Sequence, residues 1–446
     1  MTKNVCLYFH AHQPVRINKY RLFGDQNGWK GDSQALFSAY FDDVVNRHYF
    51  EKASRQCYLP ANKALLAAMD ESGKEFKVSF SATGVFFEQA EKYAPDVLES
   101  FQQLASTGCV EFVDETYYHS LSSLYAEPTE FREQVRMHSR LIKDLFNLGK
   151  PTAFRNTEML YNNRIAAEAE KMGYSVILTE GIERVLGWRS PNYAYRPQGC
   201  EKIKLLMRNY RLSDDVGYRF SSRQWPQWPL TAEKYASWLD AADGECVNLF
   251  MDYETFGEHH WKDTGILDFL RHLPAKLSGR GIKTLTVSEA AKEFEPRGTI
   301  DAHATISWAD QERDESAWLG NEMQKASFCE VENLRDPVRK TGDPALMKIW
   351  RMLQTSDHFM YFCTKSWADG DVHEYFSPYK GCNPYENFVN YMNTVQDFKQ
   401  KVGERLAEKR GKAMRAEARL KWPVEDGQDA VPRICRPHVA ARPGGA

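Results

Sequence analysis

Short, almost continuously apolar runs alternate with amphipathic stretches over residues 1–300. The runs Asn4–His10, Phe76–Gly84, Cys109–Thr116, Ala153–Glu158, Tyr174–Thr179, Ile203–Arg208, Cys246–Tyr253 and Ile282–Val287 read as strands. Segments such as VCLYF, VILT and VNLFM carry almost no polar interruption, as parallel strands covered on both faces require. Between them, Pro60–Met69, Pro95–Ala105, Thr129–Phe146, Asn163–Met172 and Ala232–Ala241 carry apolar residues at helical spacing. Regular alternation of this kind predicts α/β layering, with a barrel favoured over an open sheet.

Beyond residue 300 the period changes. Ala345–Thr364 and Pro384–Phe398 read as helices, the second with Pro384 at a helix-start position. Residues 301–402 are therefore expected to form an α-helical domain packed on the barrel. From Gly403 the chain turns charged and then rich in Pro and Gly, so residues 403–446 are expected to be a disordered tail.

Composition narrows the picture by exclusion. A formal net charge of -3, with no basic stripe ahead of the tail, argues against a nucleic-acid partner. The nine cysteines are dispersed without a C-x-x-C pair, which fits reduced thiols in the cytoplasm. The first residues turn polar too early for a signal peptide, and no run of about 18 apolar residues predicts a membrane span.

Chemistry-bearing side chains recur where strands end. His10 and His12 close the first strand, Glu111 and Glu115 lie on the third, Glu158 ends the fourth, and Asp252 and Glu254 end a later one. Convergence of strand ends on one face is how barrel active sites are built. The absence of a glycine-rich loop after the first strand lowers the dinucleotide-binding alternative. FRNTEMLY sets Glu158 beside Arg155, and FMDYETFGEHH sets Asp252 beside Glu254, Glu258, His259 and His260. Two carboxyls from different strand ends suffice for glycoside hydrolysis if their surroundings push their pKa values apart. Arg155 would favour an ionised Glu158, and crowding by acids would favour a protonated Asp252.

Each feature has a plainer reading. A strand-end Glu is commonly just solvated or paired, and Glu111 alone is more often a paired barrel-interior acid than a catalyst. HAHQP suits hydrogen bonding to sugar hydroxyls, a zinc site shared with Asp252 or His259, or structural histidines. The aromatic stretches Gly187–Pro197 and Tyr218–Pro229 offer Trp188, Trp225 and Trp228 as sugar-stacking platforms, or as an apolar cluster under a long loop.

Taken in order, HQP (His12–Pro14), CVEFV (Cys109–Val113), FRNTEML, DYETFG (Asp252–Gly257) and LTVSEA (Leu285–Ala290) resemble the five sequence regions of glycoside hydrolase family 57. SWADQERDESAWLGN (Ser307–Asn321) and GDVHEYFSPY (Gly370–Tyr379) resemble its α-amylase-type members. The resemblance implies an incomplete seven-stranded (β/α) barrel followed by a helical domain. It further implies retaining action on α-glucans or maltooligosaccharides without a metal cofactor. Glu158 then stands at the nucleophile position and Asp252 at the general acid/base position. His10, His12, Glu111, Arg155, Trp188, Trp225, Trp228, Glu254 and His259 are the candidate substrate contacts. The family also holds 4-α-glucanotransferases and branching enzymes. Rivals from other classes are a metal-dependent deacetylase-like hydrolase, with zinc on His10, His12 and Asp252, and a non-catalytic glucan-binding protein.

Overall fold

The computed structural model describes residues 3–19, 33–365 and 383–421. Its strands are β1 (Asn4–Ala11), β2 (Val78–Ala82), β3 (Val110–Phe112), β4 (Ala153–Arg155), β5 (Val176–Glu180), β6 (Ala194–Pro197), β7 (Lys204–Arg208), β8 (Cys246–Asp252), β9 (Lys283–Leu285) and β10 (Thr299–Ile300). Each predicted strand is present. β6 and β10 are additional, and β6 forms inside the aromatic stretch Gly187–Pro197 by antiparallel pairing with β7. The other ladders are parallel. One sheet orders β3-β2-β1-β8 with β9 also on β1, and the other orders β10-β6-β7-β5-β4. A parallel bridge between Asp114 and Phe154 joins β3 to β4, and the Asn209 N–H donates to the Asn248 carbonyl where β7 meets β8. The parallel strands thus make a curved, barrel-like wall. Among the described residues the strands are hydrogen-bonded as two five-stranded sheets.

The two-residue period of the strands places the chemistry. Along β1, Val5, Leu7, Phe9 and Ala11 pack outward with the helices Leu59–Glu71, Pro95–Ser106 and Ile266–Ser278. Cys6 and Tyr8 point the other way, into a cluster with Val113, Ala153, Leu178, Leu206 and Phe250. One step further along that inner face stands His10. The same step leads from Val113 to Glu115, Ala153 to Arg155, Leu178 to Glu180, Leu206 to Arg208 and Phe250 to Asp252. An apolar floor therefore rises into a ring of ionisable side chains at the C-terminal strand ends. Register sets His10 directly beside Asp252.

The helical region covers this end of the wall. Trp318, Trp350, Phe359, Phe362 and Val395 form one core with Val15, Ile17, Tyr117, Tyr118 and Leu160 from the strand-bearing part. Arg339 and Arg351 both pair with Glu130 and Glu133 on the helix Thr129–Phe146, compensating the fully buried Glu130. The helix predicted over Ala345–Thr364 is divided into Pro344–Met352 and Ser356–Met360. Thr355, at the break, bridges to Ser120 and donates its hydroxyl to the Tyr118 and Met352 carbonyls. The last helix runs Pro384–Lys421, well past the expected end of structure at residue 402. Val402 is buried in the core, Arg405 pairs with Asp343, and Lys409 donates to the Lys340 and Thr341 carbonyls at a helix end. These contacts are why charge alone misread it. The segment Gly370–Tyr379 and the tail after residue 421 lie outside the described residues. No helix among those described is long and apolar enough to cross a membrane.

Candidate active site

A cleft of about 490 Å³ opens above the ring, lined by His10, His12, His119, Glu158, Asp252, Glu254, His259, Trp308 and Asp357 among others. Glu158 leaves β4 through the short turn Thr157–Met159, where it and Met159 hold left-handed backbone angles (φ 54° and 51°). Such angles cost a non-glycine residue on the order of 1–3 kcal/mol and persist only where the surroundings enforce them. Here the carboxylate is clamped. His119 Nε2 lies 3.0 Å and Ser356 Oγ 3.1 Å from Oε1, and the Trp308 indole N–H donates to Oε2 at 2.9 Å. Burial raises the pKa of this carboxyl, but the His119 bond and charge, followed by the Arg155 charge, outweigh it and hold the group at about 2. Glu158 is an ionised carboxylate held at a fixed angle.

Asp252 has the opposite setting. Its side chain is 38% exposed to the cleft and meets His10 Nδ1 at 3.4 Å. The crowding expected at Asp252 is felt at its neighbour: burial and then the Asp252 charge push Glu254 up to about 8. The Tyr58 hydroxyl at 2.6 Å and the His12 N–H at 3.2 Å both donate to Glu254 Oε1. Gly257 closes the segment with φ 132°, and a β-carbon there would stand 2.0 Å from the Gln56 carbonyl oxygen. Glycine is thus required where the DYETFG run turns.

Three imidazoles stack across the floor, with ring centroids 4.1 Å apart for His12 and His119 and 4.9 Å for His10 and His119. Their neighbours differentiate them. Burial and then the His119 charge lower His12 to about 4, and its nitrogens face Thr83 Oγ1 at 2.8 Å and Asp357 Oδ2 at 3.2 Å. Burial also opposes charge on His119, but bonds to Glu115 and Glu158 raise it to about 9. Burial of Glu115 is outweighed by His10, His119 and Arg155, which hold it well below the usual carboxylate range.

The zinc set considered from sequence, His10, His12 and Asp252, is not a convergent group among the described residues. The ligand-type side chains close enough to share a cation are His10, Glu115 and His119, and separately His12, His119 and Asp357. Every imidazole nitrogen in both groups already faces a partner within the protein.

Of the residues selected from sequence, His10, His12, Glu158, Asp252, Glu254 and His259 line the cleft. Arg155 lies beneath it, fully buried, with its guanidinium 4.8 Å from the Trp308 ring centre. Glu111 is elsewhere. It pairs in register with Ser79, two residues short of the His10 level, and accepts from Ser79, the Ser288 N–H and the Ser288 hydroxyl at the start of the helix Val287–Glu293. Trp225 packs against Trp238 on the outer core. Trp188 (94% exposed) and Trp228 (44%) stand on the surface outside the cleft. Glu115, marked in the sequence only as a strand-end acid without a role, and His119, Trp308, Ser356 and Asp357 complete the arrangement without being among the candidate site residues. The i, i+4 spacing of Glu115 and His119 at a strand exit was the available signal for the first two. Trp308 falls within Ser307–Asn321, the stretch that resembles α-amylase-type members, which by itself gives it no role, and Ser356 and Asp357 come from the distant helical region, where nothing local marks them.

The family model described as Glycosyl hydrolase family 57 matches residues 6–303. A protein of Methanocaldococcus jannaschii named "Putative alpha-amylase" is 46% identical over 410 residues, covering 90% of this chain and 85% of that one. Among solved structures, a family 57 branching enzyme of Thermococcus kodakaraensis is similar with a TM-score of 0.62 at 14% identity, over 91% of this chain and 94% of that one. A 4-alpha-glucanotransferase of Thermococcus litoralis is similar with a TM-score of 0.60 at 16% identity, over 87% of this chain and 59% of that one. At these identities the two structures speak to the fold alone.

Proposed function

The chain belongs to glycosyl hydrolase family 57, and on that footing we propose that it is a retaining enzyme acting on the α-glucosidic bonds of α-glucans or maltooligosaccharides. The observation carrying this reading is the contrast between two carboxyls on one cleft. Glu158 is clamped by three donors and ionised, whereas Asp252 is open to the cleft with His10 beside it. A double displacement needs that division of labour, with carboxyls about 5–5.5 Å apart. Glu158 attacks the anomeric carbon and forms a glycosyl ester while Asp252 gives its proton to the departing oxygen. Asp252 then takes a proton from water, which releases the sugar and restores Glu158. Glu254 and His259 hold sugar hydroxyls, His10 and His12, with both ring nitrogens engaged within the protein, shape the wall of the subsite, and Arg155 supports the floor beneath them. The strands β1 to β5, β7 and β8 make the incomplete seven-stranded barrel of this reading.

Hydrolysis is favoured over transfer by the 46% identical relative named for amylase activity. A cytoplasmic location is proposed on the cysteines, six of the seven described being buried.

The deciding experiment is proton NMR of the first products formed from a maltooligosaccharide. Shorter chains released as the α-anomer are expected. Initial β-anomer overturns the retaining mechanism, and paired longer and shorter chains or new branch points reassign the enzyme to transfer or branching. Binding without turnover points to the non-catalytic alternative.

A further inference from the structure

Building on the glycosidase reading, we propose that Glu115 is a positioning residue that governs both members of the acid pair through the two histidines it holds. Glu115 is fully buried and touches neither acid. Its Oε2 lies 3.3 Å from His10 Nε2 and 3.4 Å from His119 Nδ1. The opposite nitrogens of those rings face the acids, His10 Nδ1 at 3.4 Å from Asp252 and His119 Nε2 at 3.0 Å from Glu158. One carboxylate oxygen therefore sits at the centre of a chain running Asp252–His10–Glu115–His119–Glu158. The backbone is bent to make it: His119 holds φ 50°, and its N–H closes a turn on the Thr116 carbonyl.

Proton inventory gives the arrangement its consequence. A neutral imidazole carries one N–H, so His119 can serve carboxylates on both nitrogens only as an imidazolium. The charged and titratable groups facing it are Glu115, Glu158, Asp357, Arg155, His10 and His12. Arg155 and the neighbouring rings oppose its charge. Glu158 supports it only part of the time, because formation of the glycosyl ester consumes the carboxylate charge. Glu115 is the bonded anion that stays ionised through both halves of the reaction. It keeps His119 charged and aimed while Glu158 alternates between carboxylate and ester, and it holds His10 against Asp252 while Asp252 alternates between acid and base. The other oxygen of Glu115 has no hydrogen-bond partner among the described residues, and Arg155 NH1 stands 3.7 Å from the engaged one. Charge, rather than a saturated set of hydrogen bonds, is what this side chain supplies.

The test is Glu115→Gln in the full chain, which keeps shape and removes charge. Expected are a kcat lower by about 10- to 100-fold, a loss typical of supporting residues, with KM changed by less than about 3-fold. The alkaline limb of the rate profile should move at least about one pH unit lower, because His119 loses its proton earlier. Imidazole NMR, which needs no substrate, should show His119 titrating lower in the variant than in the wild type. Glu115→Asp restores the charge and should recover the alkaline limb without recovering kcat. An unchanged limb and unchanged His119 titration in Glu115→Gln overturn the proposal. If that variant does not fold, wild-type His119 titrating near the unperturbed value of about 6.5 overturns it instead. Absence of glucan turnover by the wild type defeats the glycosidase reading alone, since the NMR titration still decides the role of Glu115.

Discussion

His119 and Glu158 meet at 3.0 Å, and each reaches the other from a left-handed backbone position. Two strained residues facing across one hydrogen bond mean the contact is enforced by the surrounding structure rather than found by flexible side chains. The bond also fixes a charge. Glu158 is ionised above about 2 because His119 is a cation beside it.

Replacing His119 by Asn, which tolerates left-handed angles, should therefore raise the Glu158 pKa. A nucleophile must be ionised, and it is ionised above its pKa, so the acid limb of kcat/KM should move to higher pH. A shift of one unit corresponds to about 1.4 kcal/mol of lost preference for the carboxylate. Rate measurements between pH 3 and pH 7 test this, and an unmoved acid limb would show that His119 does not set the charge.

Trp308 supplies the other clamp. Its indole N–H is 2.9 Å from Glu158 Oε2, and its ring lies over Arg155. Trp308→Phe keeps an aromatic ring and removes the donor. A hydrogen bond to a charged group contributes about 1.5–3 kcal/mol, so kcat should fall roughly 10- to 100-fold if the bond strengthens toward the transition state. Steady-state kinetics should show KM rising far less than kcat falls; the reverse pattern would make Trp308 a simple sugar platform.

Much of this site was legible before the structure, for a physical reason. His10, Arg155 and Asp252 stand at strand ends, where a period of two and an apolar inner face determine which way they point. Glu111 obeys the same period but lies one level too deep, and the sequence carries no marker of depth. The Trp188, Trp225 and Trp228 positions depend on how long connections fold back, which periodicity does not encode. Asp357 and Ser356 were hidden by an apparently continuous helix. The bridge between Ser120 and Thr355 breaks it, and that is a tertiary contact 235 residues apart in the chain.

The two acids should separate by leaving group. On the proposed mechanism Glu158→Gln removes the group that forms the covalent bond and should lower turnover by at least about 10³-fold on every substrate. On the same proposed mechanism Asp252→Asn removes proton delivery, worth about 10²–10⁴, and should matter less for an aryl α-glucoside whose phenolate leaves unaided. Comparing both variants on maltooligosaccharide and aryl substrate tests the assignment. Equal losses for Asp252→Asn on the two would argue against Asp252 as the acid.

A zinc-dependent hydrolysis would use the same histidines differently. His10, His12 and His119 each engage both ring nitrogens within the protein, so the glycosidase reading expects turnover to survive exhaustive dialysis against a chelator. Loss of activity restored by added zinc would reverse that expectation.

Glu254 links the site to stability. Its folded pKa, raised to about 8 by burial and by Asp252, exceeds the unfolded value of about 4.3. Between those limits the folded chain holds a proton that the unfolded chain releases, so stability falls as pH rises through that window. The slope approaches about 1.4 kcal/mol per pH unit well inside it. Glu254→Gln keeps an oxygen to accept from Tyr58 and the His12 N–H but carries no titrating proton. The variant should therefore match the wild type near pH 4 and gain on it steadily toward pH 8. Denaturant midpoints at pH 5, 6.5 and 8 measure the divergence, and parallel curves would mean that Glu254 is already ionised in the folded protein.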